Sequence, residues 1–532
     1  MAHFARTTRI LMAGTACMLL ASCDGADSVA SPGEGVIVVP STPAPTPAPS
    51  ATPTPAPGTP AASCPTGLAD AGVVGNYRGC RLPSSITSDL RLQKLAGVAY
   101  EISGPTNVGV DLGGGGNLPT GRSAVLTIDP GVLLYANTTN ADNDYLIVNR
   151  GSRIFAEGSP TQPIIFTAQQ NLTGGVTDES QGLWGGVILA GRAPISNCNT
   201  GVAGGAVNCE NAVEGTSPQA LYGGNVPADS SGTFRYVQIR YSGTIISPNN
   251  ELQGLTLGGT GSGTTIDHVQ IHNSSDDGIE VFGGRTNMRY LAITGADDDG
   301  LDTDVGWQGQ VQFLLTVQKP NNPQSDNYST EIDSNGNEDA LPRQRYNLAN
   351  FTFVQTSSNT NAAIRLRGGA DARFVNGIVV SPSACLNIIA GIDASGKSTI
   401  RPANAGLEDN GPPLFDSVLF SCGGASPYAE TPVNGVTVTL AEQRTVFTAG
   451  TNNVENGTGL LGTNSFLPAG VATTATPFNA ATLNPANTSF FVQTSFVGAV
   501  SGPNDTSFAG WTCNSNRASF GSTSGSCTGL PN

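Results

Sequence analysis

Charge is scarce in this chain of 532 residues: Asp, Glu, Lys and Arg make up only 12%, about half the usual share. That excludes a coiled coil and a highly charged disordered chain. Basic residues are the scarcer sign, 24 Lys+Arg against 40 Asp+Glu, and a net charge of -16 repels phosphate backbones. Nucleic acid is thereby excluded as a partner, while cations, basic partners and neutral glycans stay open. There are 3 histidines and, beyond the N-terminal region, only His268 and His272; with no CxxC pair, a zinc site is the weaker reading of the cysteines. P-loop, GxSxG, HExxH and Rossmann fingerprints are missing, and the GGGG at 113–116 has no phosphate-cradling context. Aromatics reach only 6% whereas glycine contributes 68 residues, so turns and small side chains do the work that Leu, Ala and Lys do in helical cores. An all-β protein with many turns follows.

The first 22 residues read as a processing signal: Arg6 and Arg9 precede an apolar stretch at 10–20 that is too short to span a bilayer. Leu20-Ala21-Ser22-Cys23 then matches the lipobox of bacterial lipoproteins, in which Cys23 becomes the fatty-acylated first residue. Residues 23–63 form a linker rich in Pro, Thr and Ala, with eight prolines between Pro43 and Pro60, a composition that builds no core. As polyproline II, some 30 such residues reach on the order of 90 Å. The expected protein is held to the cell envelope by its lipid, at the outer membrane or surface rather than the inner membrane.

Of 10 cysteines, Cys17 leaves with the signal, Cys23 is acylated and eight remain. They fall into sequence neighbours, and an oxidising compartment favours the local pairing Cys64-Cys80, Cys198-Cys209, Cys385-Cys422 and Cys513-Cys527.

Internal repetition carries the fold. FRYVQIRY at 234–241, IDHVQIHN at 266–273 and MRYLAITG at 288–295 superpose residue for residue. Ile266 to Met288 is 22 residues, and Met288 to Val311, which opens VQFLLTVQ, is 23. Each unit also holds an acidic glycine turn followed by a second alternating segment, DDGIEVFGG at 276–284 and DDGLDTDVG at 298–306. Short strands in about 22 residues make one coil of a parallel β-solenoid, because a propeller blade needs about 40. Val237, Ile239, Val269, Ile271, Leu291 and Ile293 are the expected inward ladders. The solenoid is assigned to 64–445 and a closing segment to 446–532; no helical periodicity is evident after the signal.

The order TIDPGVLLYAN, IFAEGSPTQPIIFTA, LWGGVILAGRAP, LTLGGTGSGTTIDHVQI, DDGIEVFGG, DDDGLDTDVGWQGQVQF and SFVGAVSGPNDTSFAGWTC resembles bacterial envelope lipoproteins with a pectin-lyase-like fold, over roughly residues 90–515. The resemblance implies a right-handed parallel β-helix displayed on the envelope. It supplies no reaction.

Alternation along the second strands sends Ile279, Val281, Leu301 and Thr303 inward and Glu280, Phe282, Asp302 and Asp304 outward. Carried forward, the register adds Glu331 and Asp333, then Arg365 and Arg367, giving two outward columns. Like charges at about 5 Å repel by roughly 3 kcal/mol at an effective dielectric of 20, so a sheltered column needs a cation, raised pKa values or the arginines. Either this face is solvated and partly ion-paired, or it binds a cation or glycan, or it is a catalytic groove. The turn acids Asp276, Asp277, Asp297, Asp298 and Asp299 are either ordinary Asp-Gly turn chemistry, with glycine supplying positive φ, or Ca²⁺ ligands. His268, flanked in register by Tyr236 and Tyr290, fits an aromatic stack; Trp184, Trp307 and Trp511 fit tight packing beside glycine.

Two functions follow. One is a lipid-anchored module presenting an acidic face to extracellular glycans, cations or surface proteins. The other is a polysaccharide lyase or glycoside hydrolase in which Glu280, Asp302, Asp304, Glu331 and Asp333 act as acid, base or Ca²⁺ ligands and Arg365 or Arg367 as base or clamp.

Overall fold

The computed structural model describes residues 58–531 except 141–142, 248–249, 321–326, 335–337, 392–396 and 464. The signal segment, Cys23 and residues 23–57 of the linker lie outside the described residues. Among the described residues no helix is long and apolar enough to cross a membrane.

Short strands with period-2 patterning stack coil on coil into two sheets of 15 and 10 strands. The 10-stranded sheet is parallel throughout, running from Ser85–Ile86 through Leu255–Gly258, Ile279–Phe282, Leu301–Asp304, Thr330–Ile332 and Ile364–Leu366 to Leu386–Ile388. The larger sheet is folded along its length. Its long strands, among them Gly232–Arg240, Thr265–His272, Asn287–Thr294 and Gln308–Val317, each serve two faces of the coil. Arg153–Glu157 pairs with the first half of Gly232–Arg240, and the separate strand Ile164–Ala168 pairs with its second half.

In the coils from Gly232–Arg240 to Leu414–Cys422 the corner between those halves is a single left-handed residue: Tyr236, His268, Tyr290, Phe313, Asn350, Asn376 and Ser417, with φ between 50° and 66°. Left-handed backbone is uncommon outside glycine. Here four of the residues form the expected aromatic stack and help offset its strain. Ring centroids are 4.4 Å apart for Tyr236 and His268, 4.3 Å for His268 and Tyr290, and 4.5 Å for Tyr290 and Phe313. Asparagine, which tolerates this conformation, continues the column.

Inside the coils, Val237, Ile239, Val269, Ile271, Leu291 and Ile293 join Ile279, Val281 and Leu301 in one buried cluster. Burying each such side chain contributes roughly 1.5–3 kcal/mol. Trp184, Trp307 and Trp511 are buried too, their indole N–H groups donating to the carbonyls of Arg240, Thr286 and Ser507. All four cysteine pairs are Cys64-Cys80, Cys198-Cys209, Cys385-Cys422 and Cys513-Cys527.

The C-terminal region departs from expectation in two ways. A helix, Leu440–Ala449, covers the end of the solenoid, its Phe447 ring 4.2 Å from Phe420, and the boundary drawn at 445 falls inside it. Beyond the helix the chain is a strap along the flank of the earlier coils rather than an end cap. Amide side chains of successive coils hold it as a strand would. Gln270 donates to Cys513 O and accepts from Cys513 N, Gln312 does the same with Val492, and Asn376 with Phe478. A carboxamide offers the same donor and acceptor as a peptide group, so it completes the pairing that an irregular strap lacks.

Candidate functional site

Register turns residues distant in sequence into vertical neighbours. Glu280 pairs with Asp302, Asp302 with Glu331, and Glu331 with Arg365, while Phe282 pairs with Asp304. Asp333 N donates to Thr303 O and Arg367 N to Ile332 O, which continues the second column. These side chains point out of the solenoid, yet they are not solvated. Glu280, Asp304, Glu331, Asp333 and Arg365 are each at most 9% exposed.

The cover is the insertion that carries the Cys198-Cys209 loop. Its Tyr222 stacks on Phe282 at 5.7 Å, and its Glu214 accepts from Gln253 at 2.7 Å beside the start of the column. Glu214 and Glu251 are site residues that sequence reasoning missed, because both lie outside the repeat and carry no motif.

The columns divide into two electrostatic halves. Toward the C-terminal end, Arg367 Nε lies 2.7 Å from Glu331 Oε1 and 2.7 Å from Asp333 Oδ2, and Arg365 Nη1 lies 3.6 Å from Glu331 Oε2. Although burial opposes it, the surrounding carboxylates hold the Arg367 guanidinium above its ordinary pKa. It stays protonated and is a poor base. Toward the N-terminal end no arginine or lysine among the described residues intervenes. One ligand atom each from Asp277, Glu280 and Asp302 lies within 4.8 Å of the others. Glu280 Oε2 and Asp302 Oδ1 are buried without a hydrogen-bond donor among the described residues. Burial first, then neighbouring carboxylates, pushes the pKa of Asp277, Glu280, Asp302 and Asp304 well above the carboxylate range. Asp276 is pushed up to about 7 by burial together with Glu251 and Glu214.

The turn acids separate accordingly. Asp277 faces the cluster and accepts from Asp299 N at 2.8 Å, and Asp299 accepts from Tyr328 N in the next coil. Asp276 accepts from Gln253. Asp297 turns away to Lys319, 2.6 Å distant, and Asp298 sits close enough to raise Asp277 and Asp299. Gly278 and Gly300 do not take the positive φ expected of them. Their missing Cβ atoms make room instead: one on Gly278 would lie 2.3 Å from Ile293 Cγ2, and one on Gly300 2.6 Å from Ser329 O. His268 is bound to Asp267 at 2.5 Å within the aromatic stack, and His272 is buried against Thr294. Neither histidine adjoins the carboxylates.

Three carboxylates whose oxygens sit this close suit a hard divalent ion. Ligands at about 2.4 Å from a common Ca²⁺ are at most about 4.8 Å apart, and oxygen donors are what Ca²⁺ prefers. The donor set therefore fits calcium, which Asp277, Glu280 and Asp302 could hold.

Comparison with known families accounts for the architecture. The model of the pectate-lyase-like beta helix domain matches residues 114–410, more than half of the chain, and the chain belongs to that family. The fold is accordingly its right-handed parallel β-helix. No curated protein and no solved structure matches the chain.

Proposed function

We propose that this member of the pectate-lyase-like beta-helix family is a lipid-anchored envelope protein whose solenoid binds a divalent cation of the Ca²⁺ class on its outward carboxylate column. Through that column it serves as a binding or scaffold module toward extracellular glycans or surface proteins. The observation that supports the reading is the trio Asp277, Glu280 and Asp302, with ligand oxygens within 4.8 Å, together with Glu280 Oε2 and Asp302 Oδ1, which lack a donor among the described residues. Bound there, the ion would supply the positive charge that Arg365 and Arg367 supply farther along the column. The anchor rests on Cys23 in its lipobox. Isothermal titration of the full chain with Ca²⁺ tests the cation site: binding that is lost in Glu280→Gln supports it, and binding untouched by that change refutes it. Labelling with radioactive palmitate, absent in Cys23→Ala, tests the anchor.

The stacked carboxyl groups with elevated pKa values favour a second reading, a polysaccharide lyase or glycoside hydrolase acting at the same column. Unsaturated products or reducing ends released from uronate or neutral polysaccharides, and abolished in a double Asp302→Asn, Asp304→Asn variant, would establish it.

A further inference from the structure

Lysine is rare in this chain. Of its three lysines, Lys94 is exposed, Lys397 is partly exposed, and only Lys319 is buried. Elsewhere the solenoid answers sheltered carboxylates with arginine, as at Arg150, Arg343 and Arg367. Either residue serves an ion pair, but lysine can surrender a proton and act as a nucleophile, whereas arginine stays charged.

Lys319 lies just beyond the strand Gln308–Val317, one coil after Asp297. Its Nζ donates to Asp297 Oδ1 at 2.6 Å and to Gln181 Oε1, while Gln181 Nε2 donates to Asp297 Oδ2. The three side chains close a ring in which one carboxylate bridges an amine and the nitrogen of a carboxamide. A loop held from two sides brings Gln181 there. Asn273 Nδ2 donates to Asp178 O at 2.7 Å and to Ser180 O at 3.1 Å, and Arg517 on the strap pairs with Glu179 at 2.8 Å. The reacting atoms are thus positioned by the fold before any bond is made.

We propose that Gln181 and Lys319 are joined by an amide bond between their side chains, formed by the folded chain itself with Asp297 as the proton carrier. Asp297 Oδ1 takes a proton from the Lys319 ammonium, and the freed Nζ lone pair attacks Gln181 Cδ. Asp297 Oδ2 then passes that proton to Nε2, the Cδ–Nε2 bond breaks, and the Cδ–Nζ bond remains. Of the three ammonium protons one stays on the new amide and two leave with Nε2, which departs as ammonium. No oxidant or cofactor is consumed. Burial raises the pKa of Asp297 against the pull of Lys319, which suits a carboxyl that must hold a proton in passing. A direct amide between Lys319 and Asp297 has no such carrier, since its bridging group would be the carboxamide of Gln181. The bond ties together residues 138 apart in sequence, linking the coil before Gly232–Arg240 to the coil of Gln308–Val317. Coils of a solenoid are otherwise held by their neighbours alone, so the bond resists their separation. It depends on neither the cation site nor the lipid anchor.

The test is a peptide map of the purified full chain, reduced and cleaved after arginine. Gln181 and Lys319 fall in the peptides 154–192 and 290–343, neither of which contains cysteine, so no disulfide can join them. The expected product is one branched species whose mass is the sum of the two peptides less one ammonia. Recovery of both peptides separately at unmodified mass overturns the proposal. So does peptide 290–343 alone lighter by one water, which would place the amide on Asp297. This map uses the unmutated chain and so depends on no variant folding. Lys319→Arg, which keeps the charge beside Asp297, and Asp297→Asn, which keeps both partners, should each yield the two peptides apart. A branched species that persists in Asp297→Asn refutes the proton-carrying role.

Discussion

Replacing Asp302 by Asn should change the sign of its effect on stability according to whether calcium is present. Asp302 stacks between Glu280 and Glu331, and no arginine among the described residues lies within ion-pair range on the Glu280 side. Two charges one strand spacing apart, about 4.8 Å, repel by roughly 3 kcal/mol at an effective dielectric of 20. Part of that is relieved by proton uptake, so the amide should stabilise the calcium-free protein by about 1–2 kcal/mol. With free Ca²⁺ at about 100 times Kd, the unmutated protein gains about 2.7 kcal/mol that the variant largely forgoes. Urea denaturation of both proteins in EGTA and in calcium reads the four midpoints. The variant should be the more stable in EGTA and lose that advantage in calcium. Equal losses in both conditions, or equal gains from calcium, would refute the assignment. Asp333→Asn supplies the contrast: it strips a carboxylate from Arg367 and should destabilise by about 3 kcal/mol whether or not calcium is present.

His272 is fully buried and its pKa is lowered to about 3 by burial, with Arg240 and Arg517 adding to the effect. A depressed histidine pKa means that the unfolded chain binds the extra proton. Its contribution to stability is therefore intact above about pH 6.5 and falls by about 1.4 kcal/mol per pH unit toward pH 3. The stability difference between the unmutated protein and His272→Gln, followed by denaturation from pH 8 to 4, should shrink along that slope, and a constant difference would contradict it. Gln312→Ala together with Asn376→Ala removes two reciprocal amide-to-strap pairs. Amide hydrogen exchange in 478–492 should then accelerate while the coils stay protected, with a loss of about 1–3 kcal/mol per pair where the strap is buried. Removing the Cys385-Cys422 disulfide, which closes a sequence separation of 37 residues, should lower stability by about 2–4 kcal/mol, measured as a denaturation midpoint of the double Ala variant.

The coils were legible because a repeat exposes its own register. Once FRYVQIRY, IDHVQIHN and MRYLAITG superpose, the pairings Val237 with Val269 and Val269 with Leu291 follow, and the Glu280-to-Arg365 column follows from the same offset. Segments that obey no repeat were opaque. The insertion that buries the column has no periodicity to betray which face it covers, so whether the outward side chains are solvated or sheltered stayed open in the sequence. The helix Leu440–Ala449 was missed because it buries only Gln443, Val446 and Phe447 and so shows no full apolar stripe. The available signal was at its start: Thr439 and Glu442 form a capping box, a sequence mark of a helix N-terminus that is independent of periodicity. The strap was hidden for a related reason. Its partners are polar amides on the coils, which in sequence look like ordinary surface residues.

The unequal halves of the carboxylate column bear on function. A β-helix that needed only to stack could have ended every outward strand position in a neutral residue, as it does with Thr256 below Glu280 and with Asn387 beyond Arg365. Instead the stack runs Thr, Glu, Asp, Glu, Arg, Asn, with two arginines neutralising its far end and none its near end. Covering the near end with the insertion makes the imbalance more expensive, because a buried like-charge cluster is unfavourable unless protons or a cation compensate it. Protons suffice only while the pH lies below the raised pKa values of Asp277, Glu280 and Asp302. A divalent ion bound there would compensate the same charge without requiring the carboxyls to stay protonated. By shielding the near end beneath Tyr222 and Glu214, the insertion raises the cost of any carboxylate charge left uncompensated there.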